Sequence, residues 1–143
     1  MGHTLNKSWI HVVWSTKKRQ PFILPEIERY LYSELARLFE DQGCQLLALN
    51  GMPDHIHALI GPRLDRAVSD TMHRVKGASA HWMNRQSVPG GPFAWQTGYA
   101  VISVSHDIVR RVVGYIEHQK EHHQKIVFAQ EWAQYEALGA TWP

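Results

Sequence analysis

The feature that most restricts the fold is a change of hydrophobic period that recurs along the chain. Over residues 8–15, Ile10, Val12 and Trp14 alternate with Trp9, His11 and Val13. This is period-two strand patterning with apolar groups on both sides. Lys17-Lys18-Arg19-Gln20-Pro21 breaks it. From Pro25 the period becomes helical: Ile27, Leu31, Leu35 and Leu38 recur at helical spacing, with Tyr30 and Phe39 beside them. Pro25 and Glu26 suit a first turn and Gly43 suits the stop. Residues 44–50 and 55–60 read as two strands of a hairpin joined by the turn-rich Asn50-Gly51-Met52-Pro53-Asp54. A second helix is predicted from Asp65 to about Gln86, with Val68, Met72, Val75, Ser79 and Trp82 along one stripe. The stretch Ser87–Pro92 is a loop. A fourth strand is predicted at 98–104, and a third helix from His106 to His123 with Ser105 as its N-cap.

The resulting order, β-α-β-β-α-β-α, predicts an α+β fold of the ferredoxin-like, split-βαβ kind. It has an antiparallel sheet with both helices on one face, followed by a C-terminal helix. The 143 residues suit one domain spanning 1–143, and no repeat or low-complexity tract divides them. Hydrophobic residues at 44% and charged residues at 20% exclude a disordered or fibrous chain. No run approaches the ~20 apolar residues of a membrane span. Met1-Gly2-His3-Thr4 lacks a signal pattern, so no membrane partner is expected. The single Cys44 rules out an intrachain disulfide framework and fits a reducing cytoplasm. A formal charge of +2 permits an anionic partner without demanding one. Such a fold serves many activities, so function has to come from a site.

Ten histidines in 143 residues are unusual. Most are expected on the surface or in packing, since a metal site needs only two or three. In the second hairpin strand stands His55-Ile56-His57. Residues two apart in a strand point to one face, roughly 6.6 Å apart, so both imidazoles can meet one cation while Ile56 enters the core. Two ring nitrogens suit a divalent transition ion, and an added oxygen ligand would suit Mn²⁺ or Mg²⁺ as well. Alone, such a pair is more often two ordinary sheet histidines. In the third helix, Val109, Val112, Val113 and Ile116 define the buried stripe. Tyr115 lies off one side of it, with Gln119 one turn later on the same flank. A helix-edge tyrosine packing on its neighbour is the commoner meaning of that spacing.

Three segments occur together in one order: Met52-Pro53-Asp54-His55-Ile56-His57-Ala58-Leu59-Ile60, then Trp95-Gln96 with Gly98-Tyr99 and Ser103-Val104-Ser105, then Tyr115-Ile116-Glu117 with Gln119. The combination resembles the single-tyrosine HUH transposases of the 200/605 group of insertion sequences, over roughly residues 8 to 128. The resemblance implies that His55, His57 and Gln119 hold a catalytic Mg²⁺ or Mn²⁺ and that Tyr115 attacks a DNA phosphate. It implies cleavage and rejoining of single-stranded DNA at hairpin-flanked element ends through a 5′-phosphotyrosine bond. It also implies a homodimer, with Tyr115 acting in cis or in trans. His118 departs from the asparagine common there and lies beside the motif. Asp54 is expected to cap its turn, with orientation of one histidine as the other role open to it.

Tyr30, Tyr32, Tyr99 and Tyr135 have no glutamine or histidine one turn away in a matching motif. Lys17, Lys18, Arg19, Lys76, Arg110 and Arg111 are the candidate phosphate contacts, with Arg63, Arg66 and Arg74 beside them, although most surface cations only solvate a face. Two other readings stand beside the transposase. One is a REP-associated relative acting on genomic palindromes, and the other is a catalytically inactive hairpin-binding protein. A zinc hydrolase ranks last, because its third ligand would be an amide and no carboxylate is paired to the site.

Overall fold

The computed structural model describes residues 2, 4–87, 89–123 and 128–140. Met1 and His3 of the N-terminal segment, Val88 in the Ser87–Pro92 loop and residues 124–127 lie outside them. The chain forms β1 (Trp9–Ser15), α1 (Pro25–Asp41), β2 (Gln45–Met52), β3 (His55–Gly61), α2 (Val68–Asn84), β4 (Ala100–Val104), α3 (Val109–Glu117), α4 (Gln119–His122) and α5 (Phe128–Ala140). The four strands make one antiparallel sheet in the order β2-β3-β1-β4. This is the split-βαβ arrangement predicted from the order of elements.

The alternation in β1 and β3 sorts their side chains into two cores. Val12 and Trp14 of β1 and Ile56, Ala58 and Ile60 of β3 face α1 and α2, where they meet Leu31, Leu35, Phe39, Met72 and Val75. Trp14 sits at the centre, edge-on to both Phe39 and Trp95. The Trp95 indole N–H is satisfied by Ser79 Oγ at 2.9 Å. On the opposite face Ala48, Leu59 and Val104 pack with Ile116 of α3, flanked by Val109, Val112, Val113 and Tyr115. The predicted stripe of the third helix is therefore its buried face.

Helix α1 begins at Pro25 with Glu26 and Glu28 in its first turn, where carboxylates favour the helix dipole. It ends before Gly43, whose φ of +77° is a left-handed conformation suited to glycine. Helix α2 starts at Val68 rather than Asp65: Ala67 before it is extended (φ −66°, ψ 140°), and Asp65 pairs with Arg63 at 2.6 Å in the preceding loop. Its fully buried residue near the end is Met83, with Trp82 only partly covered.

The third predicted helix, 106–123, is not continuous. Residues 106–108 form a 3-10 turn, α3 follows, and His118 (φ −102°, ψ 25°) separates α3 from α4. The His118 Nδ1 lies 2.6 Å from the Gly114 carbonyl, which also accepts from its own backbone N–H at 3.1 Å. A side chain competing for a helix carbonyl in this way bends the helix. Ser105 precedes the 3-10 turn, but its hydroxyl donates to Asp107 Oδ1 at 2.6 Å instead of capping backbone N–H groups. Helix α5 was not expected from the sequence pattern.

Candidate active site

Period-two geometry places His55 and His57 on the face of β3 opposite Ile56, and both are fully buried. Each ring is fixed through its Nδ1. His55 Nδ1 lies 2.7 Å from Asp54 Oδ1, and His57 Nδ1 lies 2.8 Å from His11 Nε2. Asp54 thus orients a histidine through its carboxylate. Its backbone carbonyl, in turn, accepts from Thr16 N at 2.9 Å. His11 reaches His57 because it stands two residues before Val13, the cross-strand neighbour of His57, and so shares its face.

The Nε2 atoms point into a polar cluster that α5 completes. Glu131, almost fully buried, sets Oε1 2.9 Å from His57 Nε2 and 3.8 Å from His55 Nε2. Its other oxygen meets His122 Nε2 at 2.9 Å and His123 Nε2 at 3.5 Å. His55 Nε2 is 3.1 Å from His123 Nε2, and Phe128 stacks on the His55 ring at 4.0 Å. His11, His55, His57, His122 and His123 therefore gather at one place. The expectation that no carboxylate is paired to the site is corrected: Glu131 is at its centre. A strand pattern around residues 55–57 carries no information about a helix 74 residues further on.

The Tyr115 hydroxyl donates to Glu131 Oε2 in a short hydrogen bond and lies 3.3 Å from the Tyr135 hydroxyl and 3.4 Å from His122 Nε2. Its ring centroid is 5.8 Å from that of His57. Tyr135 is thus a second phenol at the site, one helical turn after Glu131. Gln119 is fully buried; its amide N–H donates to the Tyr115 carbonyl at 3.3 Å, while its Oε1 has no protein partner. A buried amide oxygen without a donor is costly. An acceptor left open on the turn that follows Tyr115 suits a cation ligand.

Electrostatics follow burial. Desolvation holds His11 down to about 3 and His57 down to about 4, so both are neutral at pH 7. Burial pushes Glu131 up, but hydrogen bonds and charge from His57, Tyr115 and His123 more than offset this and hold it at about 2. Burial, reinforced by the hydrogen bond to Glu131, raises the Tyr115 phenol to about 12. Burial raises Tyr135 further still. Two proton arrangements fit the distances. In one, His11 Nε2–H donates to His57 Nδ1 and His57 Nε2–H donates to Glu131. In the other, His57 Nδ1–H donates to His11 Nε2, which frees the His57 Nε2 lone pair for a cation.

The predicted phosphate contacts are dispersed. Lys17, Lys18 and Arg19 form an exposed 3-10 turn, with Lys18 and Arg19 at φ 58° and 54°. Arg19 lies over the Phe128 ring. Arg110 and Arg111 are exposed on the first turn of α3. Lys76 donates to the Gln96 and Gly98 carbonyls at 2.7 and 2.8 Å and so holds the Trp95–Gly98 loop to α2. Beside these groups, α4 is tied to the β2–β3 hairpin. Lys120 Nζ donates to Gly51 O at 2.6 Å, to Asn50 Oδ1 at 3.1 Å and to Glu28 at 2.7 Å, and Asn50 Nδ2 donates to Glu117 O at 3.0 Å.

A family model described as "Transposase IS200 like" matches residues 4–119, from ahead of β1 to Gln119. The chain belongs to that family, which makes it a DNA-processing transposase. It is 27% identical over 117 residues to the ISDra2 transposase TnpA of Deinococcus radiodurans, covering 78% of this chain and 83% of that protein. A crystal structure from Deinococcus radiodurans R1, described as that of a transposase, superposes with a TM-score of 0.65 at 29% identity, covering 83% of this chain and 96% of the other. The REP-associated tyrosine transposase bound to a REP hairpin shares the fold, with a TM-score of 0.64 at 16% identity over 88% of this chain and 74% of the other.

Proposed function

We propose that this transposase cuts and rejoins single-stranded DNA with Tyr115 as nucleophile and a divalent ion, Mg²⁺ or Mn²⁺, held by His55, His57 and Gln119. The observation that carries this reading is the convergence of the Tyr115 hydroxyl and the His55 and His57 Nε2 atoms on one buried carboxylate, with the unpaired Gln119 Oε1 on the adjoining helix. The donor set fits a hard-to-borderline cation. Bound there, the ion supplies positive charge to the scissile phosphate.

The protein's own groups do the rest. Asp54 and His11 keep the imidazoles oriented with their Nε2 atoms inward. Tyr115 Oη forms a bond to phosphorus as the bond to the 3′ oxygen breaks. The phenol proton passes to solvent, and the departing oxygen takes one up from solvent to become a 3′-OH. The strand is left as a 5′-phosphotyrosine, whose energy permits rejoining without ATP. Lys17, Lys18, Arg19, Arg110 and Arg111 are proposed to hold the DNA backbone, since all are exposed and cationic. The substrate is single-stranded DNA with imperfect hairpins.

A second reading, the same chemistry applied to genomic palindromes, has support from the fold shared with a REP-hairpin complex. We infer a homodimer, with β4 as an edge strand and Val101 and Ile108 exposing apolar surface near it. Residence in the bacterial cytoplasm at the nucleoid follows from a DNA substrate. Among the described residues no helix is long and apolar enough to cross a membrane.

The test is incubation with labelled hairpin DNA and Mn²⁺, followed by denaturing electrophoresis. The parent forms a covalent adduct and cuts single strands but not the paired duplex. Tyr115→Phe binds the hairpin and forms no adduct. A denaturation-resistant adduct from Tyr115→Phe places the nucleophile elsewhere, with Tyr135 the first alternative.

A further inference from the structure

Glu131 is 1% exposed, and the groups its carboxylate meets are imidazoles and a phenol. Isolated charges are not buried at such depth without a compensating charge. Among the described residues no lysine or arginine pairs with it, and its four ionic partners are histidines.

The positions of the donor atoms say what kind of charge belongs there. Ligand atoms of His55, His57, His123 and Glu131 all lie within 4.8 Å of one another. Nitrogen and oxygen ligands about 2.1 Å from one ion and at right angles are about 3.0 Å apart. His57 Nε2 to Glu131 Oε1 is 2.9 Å and His55 Nε2 to His123 Nε2 is 3.1 Å. With Asp54 accepting from His55 Nδ1–H, the His55 Nε2 carries a lone pair that faces His123 Nε2. Either a proton on His123 Nε2 or a metal ion between the two nitrogens satisfies that contact.

We propose that His123 and Glu131 are further ligands of the divalent ion beside His55, His57 and Gln119, so that residues beyond the tyrosine helix add an imidazole and a carboxylate to the site. This rests on the reading that His55 and His57 bind metal, and it adds ligands that lie beyond residue 119. Three imidazoles and one carboxylate favour a transition ion over Mg²⁺, which prefers oxygen ligands and keeps its waters. His123 and Glu131 thereby act in ion selection. Glu131 also becomes the link that seats the Tyr115 hydroxyl beside the ion, because one oxygen faces the histidines of β3 while the other accepts from the phenol.

The experiment is a Co²⁺ titration of the full chain followed by its visible d–d absorption, repeated with Zn²⁺ as competitor and with Mg²⁺ in excess. Glu131→Gln and His123→Ala are compared with His55→Ala as reference and His81→Ala, on the exposed side of α2, as control. Glu131→Gln and His123→Ala are expected to weaken Co²⁺ binding by at least the about tenfold that loss of an outer-shell partner costs. Both should change the band, His81→Ala should match the parent, and Mg²⁺ should compete poorly. Should either variant fail to fold, proton NMR of the unaltered Co²⁺ protein serves instead. Three hyperfine-shifted imidazole N–H signals are expected, and two would overturn the assignment of His123. Parent-like affinity in Glu131→Gln and His123→Ala, with loss only in His55→Ala, overturns the added ligands and leaves the two-histidine site standing. Parent-like affinity in His55→Ala as well removes the metal reading itself.

Discussion

Asp54→Ala isolates the part that orientation plays in the site. The Asp54 carboxylate lies 2.7 Å from Nδ1 of a fully buried imidazole and is itself 28% exposed. A hydrogen bond to a charged group contributes about 1.5–3 kcal/mol. Partial exposure places this one toward the lower half of that range, about 1.5–2 kcal/mol. If the whole effect falls on the bound state, Mn²⁺ affinity drops by about 10- to 30-fold. That lies inside the range known for outer-shell partners of ligating histidines, about 10- to 100-fold. The turn itself should persist, because the Asp54 carbonyl, not its side chain, accepts from Thr16 N and Thr16 Oγ1. Asp54→Asn keeps an acceptor oxygen without the charge and should fall between Ala and the parent. Calorimetric titration with Mn²⁺ at pH 7.5 measures the constants, and urea unfolding without metal checks the fold. An Asp54→Ala protein that is folded and binds Mn²⁺ within about twofold of the parent would refute the role of this contact.

Acid should destabilise the fold through His11. Its folded pKa of about 3 lies below the unfolded 6.5, so the unfolded chain takes up the proton first and stability falls as pH drops from 6.5 toward 3. The loss by pH 5 is about 2 kcal/mol, read as a shift in urea midpoint that His11→Gln should shrink; equal midpoints at pH 7.5 and 5 would contradict a neutral buried ring. Gly51→Ala should cost about 1–3 kcal/mol, because its Cβ would lie 2.2 Å from the His55 carbonyl oxygen, whereas Gly77→Ala in α2 meets nothing within 4 Å. Thermal unfolding that ranks the two alike would show that the hairpin relaxes. Since Tyr115 stands beside the His57 of its own chain, mixing Tyr115→Phe with His57→Ala subunits should not restore adduct formation. Restored adduct would place the tyrosine helix across a dimer, and sedimentation should report that dimer in either case.

Much of the sheet and the first half of the site could be read from local pattern. His55 and His57 share a face because strands have period two, and Ile56 enters the core for the same reason. The buried stripe Val109, Val112, Val113 and Ile116 follows from helical period alone. What stayed hidden depends on pairing across distance. His11 meets His57 only through the β1–β3 register, which no window of sequence contains. The break at His118 arises from one side chain capturing a carbonyl four residues back. Glu131 and Tyr135 join the site through α5, whose segment shows no apolar stripe strong enough to announce a packed helix, and His123 joins it from the end of α4. A buried Glu131 there has no local signature, because its partners come from β3, α3 and α4.

The clamp between the hairpin and the tyrosine-bearing segment limits how this chain can vary in length. Lys120 and Asn50 fasten α4 and the end of α3 to the turn that carries His55 and His57. Adding one residue between Asn50 and His55 would advance the strand by about 3.3 Å and exchange its two faces. Both imidazoles would then turn toward the Trp14 core, while the anchored helix stayed where Asn50 holds it. Insertions at this turn are therefore expected to be rare among functional descendants. Loops outside the clamp, such as the one around Pro89-Gly90-Gly91, are the places where new sequence can accumulate without separating phenol from imidazole.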